Sequence, residues 1–212
     1  MIDHVPATGL RGLYAITDGP RPDLVAACTA ALDGGAVLLQ YRDKSADAAR
    51  RLAEAQALQA LCAARGVPLV INDDIALAAA VGAAGVHLGE GDAAPAEARA
   101  RLGPHALVGV SCYDSLDRAR RLAAQGADYL AFGAFHPSAT KPRARHATPA
   151  LLHAARAFGL PLVAIGGITP ANAGALVAAG ADLVAVVSAL FDAPDIGAQA
   201  RRFAALFASG PS

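Results

Sequence analysis

Two acidic runs stand where strands are expected to end. Ile71-Asn72-Asp73-Asp74 and Gly89-Glu90-Gly91-Asp92 each follow a short apolar stretch, so their carboxylates gather on one rim of a sheet. Acids in such a place bind a divalent cation, move protons, or cap the next helix. Asp74 begins a helical segment, where capping or first-turn charge is its expected role. Asp73 and Asp92 are left as the candidate metal ligands. Positive charge comes from Arg42 and Lys44 after an earlier apolar run and from Lys141 in a later loop. Arg offers a bidentate fork to anionic oxygens and Lys a compact charge. Acids that can hold Mg²⁺ beside bases of this kind suggest a magnesium diphosphate. A solvated loop charge is the plainer alternative, and it suits Asp43 and Arg143 better.

A second anion site is legible further along. Gly166-Gly167-Ile168-Thr169 lets backbone N–H groups approach an anion closely, and the next helix turns its positive end toward it. Ser188 adds a hydroxyl. A tight turn followed by an N-cap is the competing account of the same residues. Other chemistries are less supported. Cys112 beside Ser111, with His87 or His136 as base, has no activating motif around it, so a small buried thiol is expected. The 6 His show no HxxxH spacing for a catalytic zinc. His87 alternates within a strand and points either into the sheet's interior or outward. His4, His105, His146 and His153 read as surface or loop residues.

These groups need elements to hold them. Apolar runs predict strands at 13–17, 37–41, 67–71, 85–88, 107–111, 129–132, 162–165 and 183–187. Ala-rich helical segments lie between them near 22–33, 46–64, 74–82, 95–102, 115–124, 148–157, 170–179 and 195–208. Gly34, Gly66, Gly85, Gly126, Gly159 and Gly180 stand between a helix and the next strand, where a left-handed cap belongs. Strands apolar on both faces, joined by helical crossovers, make a parallel sheet covered by helices. Eight units of roughly 26 residues favour a closed (β/α)₈ TIM barrel, an α/β fold forming a single domain over 1–212, with 1–12 as a short lead-in. Such barrels place their chemistry on the loops after the strands, which is where nearly every candidate falls.

Composition sets the remaining bounds. An apolar fraction of 55% in 212 residues can build one large core. The balance of 18 basic against 18 acidic side chains leaves no global field for nucleic acid or an anionic membrane. Cys28, Cys62 and Cys112 form no CxxC pair, and no apolar stretch is long enough to cross a bilayer. An unexported, cytoplasmic protein is expected, acting on small molecules; its oligomeric state, a homo-oligomer included, stays open.

The whole pattern resembles one family, the thiamine-phosphate synthases, also called thiamine-phosphate pyrophosphorylases. The resemblance runs from Leu13-Tyr14-Ala15-Ile16-Thr17-Asp18 to Val186-Val187-Ser188-Ala189. Its most specific pieces are Gln40-x-Arg42-x-Lys44, Asn72-Asp73-Asp74, Gly85-Val86-His87-Leu88-Gly89, Gly109-Val110-Ser111 and Thr140-Lys141. It implies an enzyme that joins a hydroxymethylpyrimidine diphosphate to a thiazole phosphate, or its carboxylated form, giving thiamine monophosphate and pyrophosphate. Gln40, Tyr41, Arg42, Asp43, Lys44, Asn72, Ser111 and Lys141 would hold the pyrimidine diphosphate, with Arg42, Lys44, Ser111 and Lys141 also serving catalysis. Asp73 and Asp92 would hold Mg²⁺. Ser138, Ala139, Thr140, Gly166 or Gly167, Val187 and Ser188 would hold the thiazole phosphate. The implied mechanism is dissociative, with pyrophosphate leaving before the thiazole nitrogen captures the pyrimidinyl-methyl cation.

The chain departs from the family pattern at Glu90, where Gln is usual, and at Cys112-Tyr113, which replace a more polar pair. It also reads Phe135-His136-Pro137-Ser138 for Phe-Pro-Thr, and the stretch 143–148 is altered. Three other readings are a thiazole tautomerase, a sugar-phosphate epimerase or isomerase, and a non-catalytic binding regulator of the same fold. The tautomerase uses a His shortly after the glycine that ends strand six, where this chain has Ala134.

Overall fold

In the computed structural model, residues 9–137 and 146–208 are described. Their elements follow one another as β1 (Gly12–Ile16), α1 (Leu24–Asp33), β2 (Ala36–Tyr41), α2 (Ala48–Ala63), β3 (Leu69–Asn72), α3 (Ile75–Val81), β4 (Gly85–Leu88) and α4 (Pro95–Leu102). Then come β5 (Leu107–Tyr113), α5 (Leu116–Ala124), β6 (Tyr129–Phe132), α6 (Pro149–Ala155), β7 (Leu162–Ile165), α7 (Pro170–Ala178), β8 (Leu183–Val186), α8 (Ser188–Phe191) and α9 (Ile196–Ala208). Each strand pairs in parallel with the next, and β8 returns to β1, so the sheet closes as the expected TIM barrel.

Closure explains why the strands are apolar on both faces. Along β1, Tyr14 and Ile16 point into the barrel while Leu13 and Ala15 face the helices. The same alternation puts Val163, Leu183 and Ala185 inside and Leu162, Ala164 and Val184 outside. Burying each large apolar side chain stabilises the fold by roughly 1.5–3 kcal/mol. Two layers of core result, one filling the barrel and one between barrel and helices.

Several boundaries differ from expectation for physical reasons. β3 starts at Leu69 rather than Val67, because Pro68 lacks the N–H a ladder needs. β5 continues to Tyr113 through a bulge between Ser111 and Tyr113. α6 tightens into a 3-10 turn, Arg156–Phe158, and the short α8 follows β8 directly. Two glycines correct the cap reading. Gly34 has φ −82°, and a Cβ there would collide with Ala200 and the Gly197 carbonyl, so it serves the close packing of α1 on α9. Gly85 lies within β4, where a Cβ would run into the Leu107 backbone. The left-handed cap of that unit is instead Gly82, at φ 65°.

Candidate active site at the strand ends

The C-terminal ends of the strands surround a cavity of about 540 Å³, to which every strand or the loop after it contributes. Its acidic side is built by β3 and β4. Asp73 donates its backbone N–H to the His87 carbonyl at 2.9 Å and adopts φ 62°, a left-handed conformation that Asp tolerates better than most residues. Its carboxylate accepts from Asn72 Nδ2 at 2.6 Å and pairs with Lys44. Asp92 is drawn in by the Gly89 N–H, at 2.6 Å from Oδ2. The two carboxyls lie within hydrogen-bonding reach of each other. Burial opposes ionisation of Asp73, but the hydrogen bonds from Asp92 and Lys44 hold it below its ordinary range. Burial and the neighbouring Asp73 push Asp92 the other way. Two hard oxygen donors this close suit a divalent cation, which would relieve their mutual repulsion. Among the described residues no cluster of three or more His, Cys, Asp or Glu forms a complete metal cage.

Arg42, on the same rim, lines the cavity and pairs with Asp18. Asp74 caps α3, accepting from the Leu77 N–H at 2.9 Å and from Arg51 at 2.8 Å, which is the capping role expected of it. Arg118 of α5 braces the next two strands. It donates to the Ser111 carbonyl at 2.7 Å and the Gly89 carbonyl at 2.9 Å, tying the Asp92 loop to the end of β5.

A polar chain crosses the cavity floor. Gln40 Nε2 donates to the Tyr14 hydroxyl, which lies 2.9 Å from that of Tyr129. The Tyr129 hydroxyl is 3.1 Å from His87 Nδ1, and His87 Nε2 is 2.9 Å from Ser111 Oγ. Burial raises the pKa of both phenols, so both keep their protons. His87 therefore faces into the barrel. Cys112, by contrast, is fully buried and its thiol is pushed up to about 12 by burial, which leaves it no nucleophilic role.

The opposite side is backbone. Gly166 and Gly167 have φ 98° and 61° and carry no Cβ for a second reason as well. A Cβ on Gly166 would strike Ala134, and one on Gly167 would strike the His136 and Pro137 carbonyls, so the loop after β6 packs directly on this turn. Asn172 holds the turn from α7, accepting from the Thr169 N–H at 2.8 Å and donating to the Gly167 carbonyl at 3.0 Å. Val187 and Ser188 complete this wall.

Of the residues singled out from sequence, Gln40, Arg42, Asn72, Ser111, Gly166, Gly167, Val187 and Ser188 line one cavity. Lys44, Asp73 and Asp92 join at its acidic edge. Tyr41 points away, its hydroxyl donating to Glu54 at 2.6 Å behind the barrel wall. Asp43 makes a loop turn, accepting from the Ser45 N–H at 2.7 Å and pairing with Arg50 at 2.7 Å. Ser138, Ala139, Thr140 and Lys141 lie outside the described residues. Sequence reasoning passed over Tyr14, Tyr113, Arg118, Tyr129 and Asn172. The inward alternation of β1 could have flagged Tyr14. Tyr113 reaches the cavity only because the bulge turns it, at φ 55°, and no sequence signal announces a bulge.

The family model described as thiamine monophosphate synthase matches residues 13–190. A thiamine-phosphate synthase of Xanthomonas campestris pv. campestris (strain 8004) is 59% identical over 198 residues, covering 93% of this chain and 96% of that protein. One from Thiobacillus denitrificans is 56% identical over 204 residues, covering 94% and 96%. The solved structure of a thiamine phosphate pyrophosphorylase from Pyrococcus furiosus superposes with a TM-score of 0.85 at 30% identity, covering 95% of this chain and 97% of that one. A match of this extent, on a barrel whose strand ends carry the family's motifs in order, means that the chain belongs to the thiamine monophosphate synthase family.

Proposed function

We propose that the cavity is where this transferase joins a pyrimidine diphosphate to a thiazole phosphate, with the two phosphate groups held on opposite walls. The enzyme makes thiamine phosphate and releases pyrophosphate, as its family membership requires. The observation that carries the site assignment is the separation within one cavity of an acidic and basic edge, Asp73, Asp92, Arg42 and Lys44, from a backbone wall at Gly166-Gly167 and Val187-Ser188.

The acidic edge fits Mg²⁺, with Asp73 and Asp92 as its protein ligands. When bound there, Mg²⁺ would offset the charge that builds on the leaving pyrophosphate. Arg42 and Lys44 are now paired with Asp18 and Asp73; facing a diphosphate, they exchange those carboxylates for its oxygens. Gln40, Asn72 and Ser111 orient the pyrimidine half. Lys141 adds a further charge to the leaving group, and Ser138, Ala139 and Thr140 complete the thiazole phosphate site; these four roles rest on the resemblance alone. Tyr41 and Asp43 support the Gln40–Lys44 segment from behind, through Glu54 and Arg50. Departure of pyrophosphate before capture by the thiazole nitrogen needs charge stabilisation and alignment rather than a base. That suits a cavity whose cysteine is inert. Three free, buried thiols fit a reducing cytoplasm. Among the described residues no helix is long and apolar enough to cross a membrane.

The test is to incubate purified enzyme with both substrates, with and without Mg²⁺, and measure thiamine phosphate and pyrophosphate. Both products are expected in equal amounts, only with the metal. Binding of the thiazole phosphate without turnover would leave a binding regulator as the better account.

A further inference from the structure

Tyr129 lies at the centre of the floor chain, yet its ring is fully buried and is not part of the cavity lining. The fold makes room for it deliberately. Its register partner across β5 and β6 is Gly109, and a Cβ on Gly109 would fall inside the Tyr129 ring. Gly109-Val110-Ser111 thus begins with glycine because a phenol occupies the space of a side chain. The ring also stacks on His87, at 5.6 Å between centroids, and meets Tyr14 edge-on at 5.9 Å.

The direction of the chain follows from counting protons. Gln40 Nε2 can only donate, so the Tyr14 oxygen receives, and the Tyr14 proton goes on to Tyr129. Tyr129 then donates to His87 Nδ1, which leaves the imidazole proton on Nε2, directed at Ser111 Oγ. The Ser111 hydroxyl proton is released from the chain and points into the cavity. If the lower half ran the opposite way, Tyr14 would receive from both Gln40 and Tyr129 while its own proton had no partner in the floor chain, an expensive arrangement for a buried hydroxyl.

We propose that Tyr129 is a positioning residue which sets the hydrogen-bond polarity of the pyrimidine-diphosphate half of the site. Through Tyr14 it turns the Gln40 carbonyl oxygen toward the substrate as an acceptor. Through His87 it makes Ser111 a donor. The matching ligand is a heteroaromatic amine, whose N–H groups meet Gln40, carrying an anionic or acceptor group that meets Ser111. The inference rests on the assignment of Gln40 and Ser111 to that substrate.

Tyr129→Phe keeps the ring in the Gly109 slot and removes the hydroxyl alone. The first readout needs no substrate: ¹⁵N NMR of the histidine side chains, with His87 identified by the signal lost in His87→Gln. Wild type is expected to show the His87 imidazole proton on Nε2 with Nδ1 as acceptor, and Tyr129→Phe to show a mixture of tautomers. The second is kinetic. KM for the pyrimidine diphosphate is expected to rise about tenfold in Tyr129→Phe while KM for the thiazole phosphate stays unchanged. Tyr129→Phe added to Gln40→Ala/Ser111→Ala should cost nothing further, because the hydroxyl acts only through Gln40 and Ser111. An Nδ1-protonated His87 in wild type overturns the wiring. The expected tautomer together with equal KM changes for both substrates, or a further loss in the triple variant, overturns the functional role and points back to the substrate assignment.

Discussion

At the scale of the residue, the Asp73–Asp92 pair is a contest between repulsion and shared partners. Asp73 is satisfied by Asn72 and Lys44, whereas Asp92 has the Gly89 N–H and its acidic neighbour. Removing one charge from the exposed member costs the fold little, since Asp92→Asn keeps the shape and relieves like-charge crowding. We expect Asp92→Asn to change stability by less than about 1 kcal/mol. Its Mg²⁺-dependent turnover should fall at least ~100-fold, because a hard cation loses one of two carboxylates. Parallel loss of thermal stability and activity would instead give Asp92 a structural role.

At the scale of the element, glycines distinguish the two ends of the barrel. Gly34 packs α1 against α9 on the side away from the cavity, and Gly167 forms the turn between β7 and α7 at its wall. Ala at either position meets backbone or packed side chains, and at Gly167 it must also adopt φ 61°. Each substitution is expected to cost about 1–3 kcal/mol in urea unfolding. Their functional effects should part. Gly34→Ala leaves kcat/KM per folded molecule unchanged, whereas Gly167→Ala raises KM for the thiazole phosphate and spares KM for the pyrimidine diphosphate. Equal KM effects from the two would remove the phosphate role of the glycine turn. The elements themselves were largely legible, since β4, α4, β6 and β7 match their predicted spans and the errors fall where local rules compete. Pro68 delays β3, and the bulge in β5 carries Tyr113 to a face that strict alternation would not assign.

At the scale of the whole molecule, the site exists only because β8 pairs with β1. Closure brings Ala185 and Val187 near Tyr14 and Ile16 around one cavity, from opposite ends of the chain. The C-terminal helix secures that closure: α9 packs on β1 and α1, and Arg11 donates to the Phe207 carbonyl at 2.9 Å while lying over the Phe207 ring. Ligands that bridge loops from several strands therefore stabilise the entire barrel. Pyrophosphate and Mg²⁺ together, at a hundredfold excess over Kd, should add about 2.7 kcal/mol. For a chain of this size that is a rise of roughly 5–10 °C in Tm. Mg²⁺ or pyrophosphate alone should give a smaller rise, and EDTA should reverse the joint effect. A full shift with pyrophosphate alone would argue against a shared cation.

The sequence by itself determined the kinds of group available and their order around the barrel, because a parallel β/α repeat delivers the end of every strand to the same rim. That was enough to separate Asp73 and Asp92 from Asp74, and to nominate Gly166-Gly167 and Ser188 as an anion wall. What only the tertiary structure decided was partnership. Tyr14, His87, Ser111 and Tyr129 come from four strands with no periodic relation between them, and their hydroxyl and imidazole groups meet inside the barrel at 2.9–3.1 Å. Periodicity reports which face a side chain takes; closure of the sheet sets which other faces it meets, and with them the direction in which its proton points.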